Sequence, residues 1–163
     1  MTRLIRALLE EFRVRLACEQ VQREIVLPEI KGKIDVVVGM RRAGKTWFLF
    51  QEMKRLLAGS TPLDSILYLN FEDDRLLPLS TERASQLVDA FYGLFPENHD
   101  RLCHLFLDEI HQVENWALWV RRLHDSRQVK IYLTGSSARL LSREIATELR
   151  GRAFTTEIWP YSF

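Results

Sequence analysis

Apolar positions in this chain change their spacing repeatedly, and each change marks an element. Ile5, Leu8, Leu9, Phe12 and Leu16 recur at helical intervals and give an opening helix one apolar face. A polar stretch broken by Pro28 follows, and the β-branched run over 33–38 reads as a first strand. Over 45–58 the spacing becomes helical again, with Leu49, Met53, Leu56 and Leu57 inward and Gly59 placed to stop the helix. Residues 66–71 read as a second strand. Ala84, Leu87, Val88, Phe91 and Phe95 define another helical face, which Pro96 ends. The run 104–107 is apolar at nearly every position, the signature of a strand buried on both faces. Asn115 is placed to cap a helix with Trp116, Val120 and Leu123 in the core and Trp119 partly exposed. Residues 129–133 form a fourth strand, a helix over roughly 138–149 stops at Gly151, and 153–159 is a fifth strand.

Strands alternating with helices of this length predict an α/β fold: a parallel sheet covered on both faces, with right-handed crossovers. The opening helix and the polar stretch set residues 1–30 apart as an N-terminal helical segment, with the alternating core over 31–163. Composition changes this picture little. The chain has 163 residues, 47% of them apolar and 28% charged, in the range of ordinary globular proteins. A net charge of +1 gives no global field for nucleic acid. Arg121, Arg122, Arg127 and Lys130 form a modest basic patch that reads as a solvated face. Cys18 and Cys103 match no metal or disulfide spacing, and Cys103 reads as a small core residue. His99, His104, His111 and His124 lack zinc-like spacing. The charged N-terminus has no signal-peptide core and no apolar run reaches a membrane span, so a cytoplasmic location is expected.

One strand-to-helix junction carries the chemistry. Residues 39–46 read Gly-Met-Arg-Arg-Ala-Gly-Lys-Thr directly after Ile34-Asp35-Val36-Val37-Val38, which is G-x-x-x-x-G-K-[ST] in the setting that makes it a phosphate loop. Gly39 and Gly44 have no Cβ, so the backbone can bend and its N–H groups can approach phosphate oxygens. The helix that follows opens with its positive end toward the ligand. Lys45 is expected to reach the β- and γ-phosphates of a nucleotide, and the Thr46 hydroxyl to ligate Mg²⁺. The nucleotide-binding set is Gly39, Met40, Arg41, Arg42, Ala43, Gly44, Lys45, Thr46 and Trp47; Arg41 and Arg42 occupy variable positions and either touch phosphate or project to solvent.

The second half of the site is Leu105-Phe106-Leu107-Asp108-Glu109, an apolar strand ending in two carboxylates. Asp108 is expected to support the Mg²⁺ with Thr46, and Glu109 to polarise a water in line with the γ-phosphate. Transfer to a nucleoside hydroxyl needs no water-activating base, so the pair favours hydrolysis. If the fourth strand lies between the first and third, its tip faces the γ-phosphate, where the hydroxyl of Thr134 or Ser136 could position water or sense the phosphate. Ser136 or Ser137 could instead cap the next helix. Arg152, aimed by Gly151, could neutralise charge on the transferred group, in cis or on a neighbouring subunit, whereas Arg150 suits the preceding helix dipole. His111 could contact the nucleotide. Glu72-Asp73-Asp74 reads as a solvated turn, with Asn70 and Asp73 within reach of the attacking water.

Together, the loop 39–46, Tyr68-Leu69-Asn70-Phe71-Glu72-Asp73, the 105–110 strand end followed by Asn115-Trp116, the 134–137 tip, Gly151-Arg152 and the terminal Pro160-Tyr161-Ser162-Phe163 resemble the prokaryotic AAA-type P-loop ATPases that carry a C-terminal domain of uncharacterised role. The resemblance implies a three-layer P-loop NTPase fold with strand order 5-1-4-3-2, adenine as the base, and Glu109 as the catalytic carboxylate. It also implies that relatives continue past the Pro-x-Ser-Phe segment into a helical lid and that further domain, so this chain is expected to be a truncated ATPase core. A homo-oligomer or a C-terminal effector domain would be its partner. A slow Mg²⁺-dependent ATPase is the first reading, beside a nucleotide-gated interaction module with little turnover and a DNA-associated ATPase.

Overall fold

In the computed structural model, which describes all residues except 20, 29, 137–142 and 161–163, five strands form one parallel sheet. They are β1 (Ile34–Gly39), β2 (Ile66–Asn70), β3 (Cys103–Asp108), β4 (Val129–Ser136) and β5 (Ala153–Glu157). Their order is β2-β3-β4-β1-β5, the order expected above read from the other edge. Pleating decides which layer each strand residue joins. Val36, Val38, Leu67, Leu69, Leu105, Leu107, Ile131 and Leu133 face one cluster, while Val37, Ile66, Tyr68, Phe106 and Tyr132 face the other.

The first cluster is closed by α3 (Thr81–Leu94) and α4 (Trp116–Ser126), the second by α2 (Lys45–Ala58). A short helix, α5 (Arg143–Glu148), packs beside α4; residues 138–142 of the helix expected there lie outside the described residues. The opening helix α1 (Thr2–Leu16) runs against α3 and the edge strand β2. Its Ile5 and Leu9 enter the first cluster and Phe12 the second, so one helix closes both faces at that edge.

Two expectations for α4 need correction. Trp119 is 3% exposed, with its indole Nε1 donating to Ser85 Oγ at 2.9 Å. Spacings of three and four put Trp116, Trp119, Val120 and Leu123 on a single face, and Leu118 takes the outward position instead. Asn115 stands at the N-cap but in a left-handed conformation (φ 54°) and makes no side-chain cap. Under α2 lies a buried polar group: Asp35 pairs with Lys130 at 2.7 Å, and His104 Nδ1 sits 3.3 Å from the Tyr132 hydroxyl. Burial, reinforced by Lys130 and Arg55, pushes His104 down to about 4.

Candidate functional site

The loop leaving β1 gets its shape from three backbone positions. A Cβ on Gly39 would run into the Ile158 carbonyl, because Ile158 N–H bonds Val38 O at 2.8 Å and brings the exit of β5 against the loop. Gly39 therefore serves close approach, whereas the bend belongs to Gly44 (φ 84°) and Arg42 (φ 65°). The left-handed Arg42 was not foreseen. Gly44 N-caps α2, leaving the first N–H groups of that helix for a ligand. Lys45 is 5% exposed. Its Nζ donates to Gly39 O and Met40 O, each at 3.3 Å, and lies 3.6 Å from Glu109 Oε1.

Parallel register brings the acidic strand end to this loop. β3 lies between β2 and β4, pairing Asn70 with Asp108 and Leu107 with Leu133, while β4 pairs Thr134 with Val37 of β1. Asp108 is fully buried and gathers three hydroxyls. Thr46 Oγ1 and Tyr68 Oη donate to its Oδ2 at 2.7 and 2.8 Å, and Thr134 Oγ1 donates to its Oδ1. Strand alternation would send the next side chain to the opposite face, but Glu109 is left-handed (φ 53°), which re-aims it to Lys45. Its backbone N–H donates to Thr134 Oγ1 at 2.9 Å. Burial raises the Glu109 carboxyl, Lys45 opposes that, and Asp108 and Glu72 add to it. His111 Nδ1 lies 3.4 Å from Glu109 Oε2, beside the carboxylate.

Thr134 departs from its expected role: its hydroxyl is buried and committed to Asp108 and to the Glu109 backbone, so it holds the two carboxylates and does not stand open to a phosphate. Ser136 ends β4 with its side chain outside the description, and Ser137 lies outside the described residues. Arg152 is not brought to the site. Gly151 (φ 74°) turns the chain into β5, so Arg152 sits where β1 begins, its carbonyl accepting from Ile34 N–H at 2.7 Å. Five register pairs follow before the loop, roughly 15 Å of strand. Its guanidinium pairs there with Asp125 at 3.1 Å. The basic patch is likewise engaged within the chain: Arg121 with Glu148, Arg127 with Asp89, Lys130 with Asp35, and Arg122 beside Ser85.

A cavity of about 540 Å³ opens over the assembled groups, within the range of small-molecule sites, and Arg41, Arg42, Lys45, Thr46, Trp47 and Glu109 line it together with Asn70 and Glu72. Arg41 and Arg42 are exposed residues, so lining and solvation coexist. Glu72, expected in a solvated turn, is exposed yet borders the cavity, while Asp73 is held by Arg75. Thr46 and Asp108 present hard oxygen donors 2.7 Å apart, which suits Mg²⁺, an ion that takes few protein ligands and fills its shell with phosphate oxygens and water. No cluster of three or more His, Cys, Asp or Glu exists among the described residues to favour another metal. Tyr68 was missed as a site residue; a phenol in a buried strand needs a partner, and that need was its signal.

Residues 31–163 match the family model described as AAA domain. An uncharacterised protein of Methanocaldococcus jannaschii is 39% identical over 156 residues, covering 96% of this chain and 33% of its own length. An uncharacterised protein of Haemophilus influenzae is 36% identical over 130 residues, covering 80% of this chain and 32% of its own. The chain thus spans about a third of the length of these curated relatives. Among solved structures, a DNA polymerase III gamma subunit-related protein of Thermotoga maritima superposes with a TM-score of 0.50 at 12% identity, over 93% of this chain and 45% of that one. At that identity the likeness bears on the fold, a P-loop NTPase α/β arrangement. No described helix is long and apolar enough to cross a membrane.

Proposed function

The chain belongs to the AAA-domain family of P-loop ATPases, and on that footing we propose that it binds ATP with Mg²⁺ between the 39–46 loop and the β3 tip and hydrolyses it there. One observation carries the reading: Thr46, which follows the loop lysine, and Asp108, at the end of a different strand, share a hydrogen bond of 2.7 Å while Lys45 faces Glu109. The backbone N–H groups at the start of α2 would hold phosphate oxygens, and Lys45 would exchange its loop carbonyls for the β- and γ-phosphates. Thr46 and Asp108 would hold Mg²⁺, which when bound neutralises charge on the terminal phosphates. Glu109, released from Lys45, would orient and deprotonate the attacking water.

The reading is tested by titrating the protein with Mg-ATP while following tryptophan fluorescence, since Trp47 lines the cavity. Lys45→Ala is expected to abolish binding, and Glu109→Gln to retain binding while stopping turnover. Equal ATP affinity in the Lys45 variant would overturn the placement of the site. A second reading, a nucleotide-gated module with little turnover, draws support from Arg23, whose guanidinium donates to both Ala43 O in the loop and Trp159 O after β5. That link ties the phosphate loop to the segment leaving the sheet. Rapid single-turnover phosphate release would exclude this pure switch.

A further inference from the structure

Two cavities meet at Arg42, Gly44 and Trp47. One, of about 340 Å³, lies toward the segment that follows α1 and is lined by Val21, Arg23, Phe48 and Gln51. The other holds Asn70, Glu72 and Glu109, so it is the end at which a terminal phosphate and its attacking water would sit. Arg15 lines this second cavity. It comes from α1, outside the region 31–163 that matches the family model.

The helix delivers this side chain in a fixed register. Phe12, one turn earlier, is 2% exposed, with its ring centroid 6.1 Å from those of both Phe50 and Tyr68. Glu11 is bidentate to Arg75 at 2.6 and 2.7 Å, and Arg75 also grips Asp73, just past the β2 tip. Arg15 then lies with its guanidinium 5.3 Å from the centre of the Phe50 ring. Burial and Asp108, to which the Tyr68 hydroxyl is bonded, raise that phenol, and the nearby Arg15 opposes them. A planar, permanently charged fork matches phosphate oxygens in its geometry, and it stands at the rim of a cavity also lined by Lys45 and Thr46.

We propose that Arg15 contacts the terminal phosphate of a bound nucleoside triphosphate in cis, and so distinguishes triphosphate from diphosphate. The proposal rests on the phosphate-site reading above and gives the N-terminal helix a place in that site. It also supplies, from another element, the positive charge that Arg152 does not bring.

Calorimetric titrations of Mg-ATP and Mg-ADP against wild type, Arg15→Ala, Arg15→Lys and Lys45→Ala test it. Arg15 is exposed, so its replacement leaves the core intact. Arg15→Ala is expected to weaken Mg-ATP by about tenfold or more, the loss of one charge-assisted contact, and Mg-ADP by less than about twofold, with partial recovery in Arg15→Lys. A merely structural role would weaken both nucleotides alike. Equal losses for ATP and ADP, or none for either, alongside a dead Lys45→Ala, overturn the Arg15 contact and leave the phosphate site standing. Undiminished binding by Lys45→Ala overturns the phosphate site and the Arg15 contact with it.

Discussion

Replacing Thr134 by valine keeps the shape of the side chain and removes one hydroxyl, and the structure says what that hydroxyl does. It donates to Asp108 Oδ1 and accepts from the Glu109 N–H at 2.9 Å, in a position with no solvent exposure. Thr134→Val would therefore leave a carboxylate oxygen and a backbone N–H short of a partner at once. Each buried group left unpaired costs about 1–3 kcal/mol, more when it is charged, so the pair together implies about 3–5 kcal/mol. Urea unfolding reads this directly. With a slope of about 2 kcal/mol per molar, the midpoint should fall by about 1.5–2.5 M, whereas Thr134→Ser, which keeps the hydroxyl, should lose less than half of that. The Mg-ATP affinity should fall as well, because Asp108 would lose a donor that fixes its orientation. A midpoint within about 0.3 M of wild type for the valine variant would refute the assignment of Thr134 as the clamp between the two carboxylates.

Two further outcomes follow from packing and burial. Gly39→Ala drives a methyl group into the Ile158 backbone carbonyl, so the exit of β5 must move away from the loop; overpacking of about 1–3 kcal/mol lowers the melting temperature by about 3–10 °C, and an unchanged calorimetric transition would show that the contact is soft. His104 is neutral when folded down to about pH 4, whereas its unfolded counterpart takes a proton below about 6.5. The unfolded chain therefore binds more protons in that window, and up to about 3 kcal/mol, complete above pH 6.5, is lost as the pH falls toward 4. Burial also raises Asp35 and Glu52, which favours the folded state on acidification, so the measurement is the difference between wild type and His104→Gln. The variant's stability should fall less steeply from pH 6.5 to 4, and parallel curves would contradict the assignment.

Much of the architecture was legible because the relevant signals are local. β-branched runs marked the strands, helical spacing marked α1 to α4, and the glycine-lysine-threonine loop and the Asp108-Glu109 strand end follow from residue types at fixed offsets. What escaped was decided by contacts between distant segments. Gly39 looked like a hinge, yet its role depends on Ile158, which only the β1–β5 pairing brings near. Thr134 looked like an open sensor because nothing in its own strand shows that Asp108 lies beside it. Arg152 was expected at the site because it follows a glycine, and the start of β5 lies at the far end of the sheet from the loop. Trp119 was misplaced for a local reason, a helical face taken too narrowly. Arg15 had no signal at all, since its helix reaches the cavity through contacts with distant segments, Phe12 on Phe50 and Tyr68 and Glu11 on Arg75.

The placement of α1 also bears on where this protein can be cut. The family model begins at residue 31, which invites excision there. Such a piece would strip one flank of β2, opening a greasy seam into both halves of the interior where Ile5, Leu9 and Phe12 had been. The boundary of the family model and the boundary drawn by water exclusion are different lines in this molecule, and the second is the one a solvent sees.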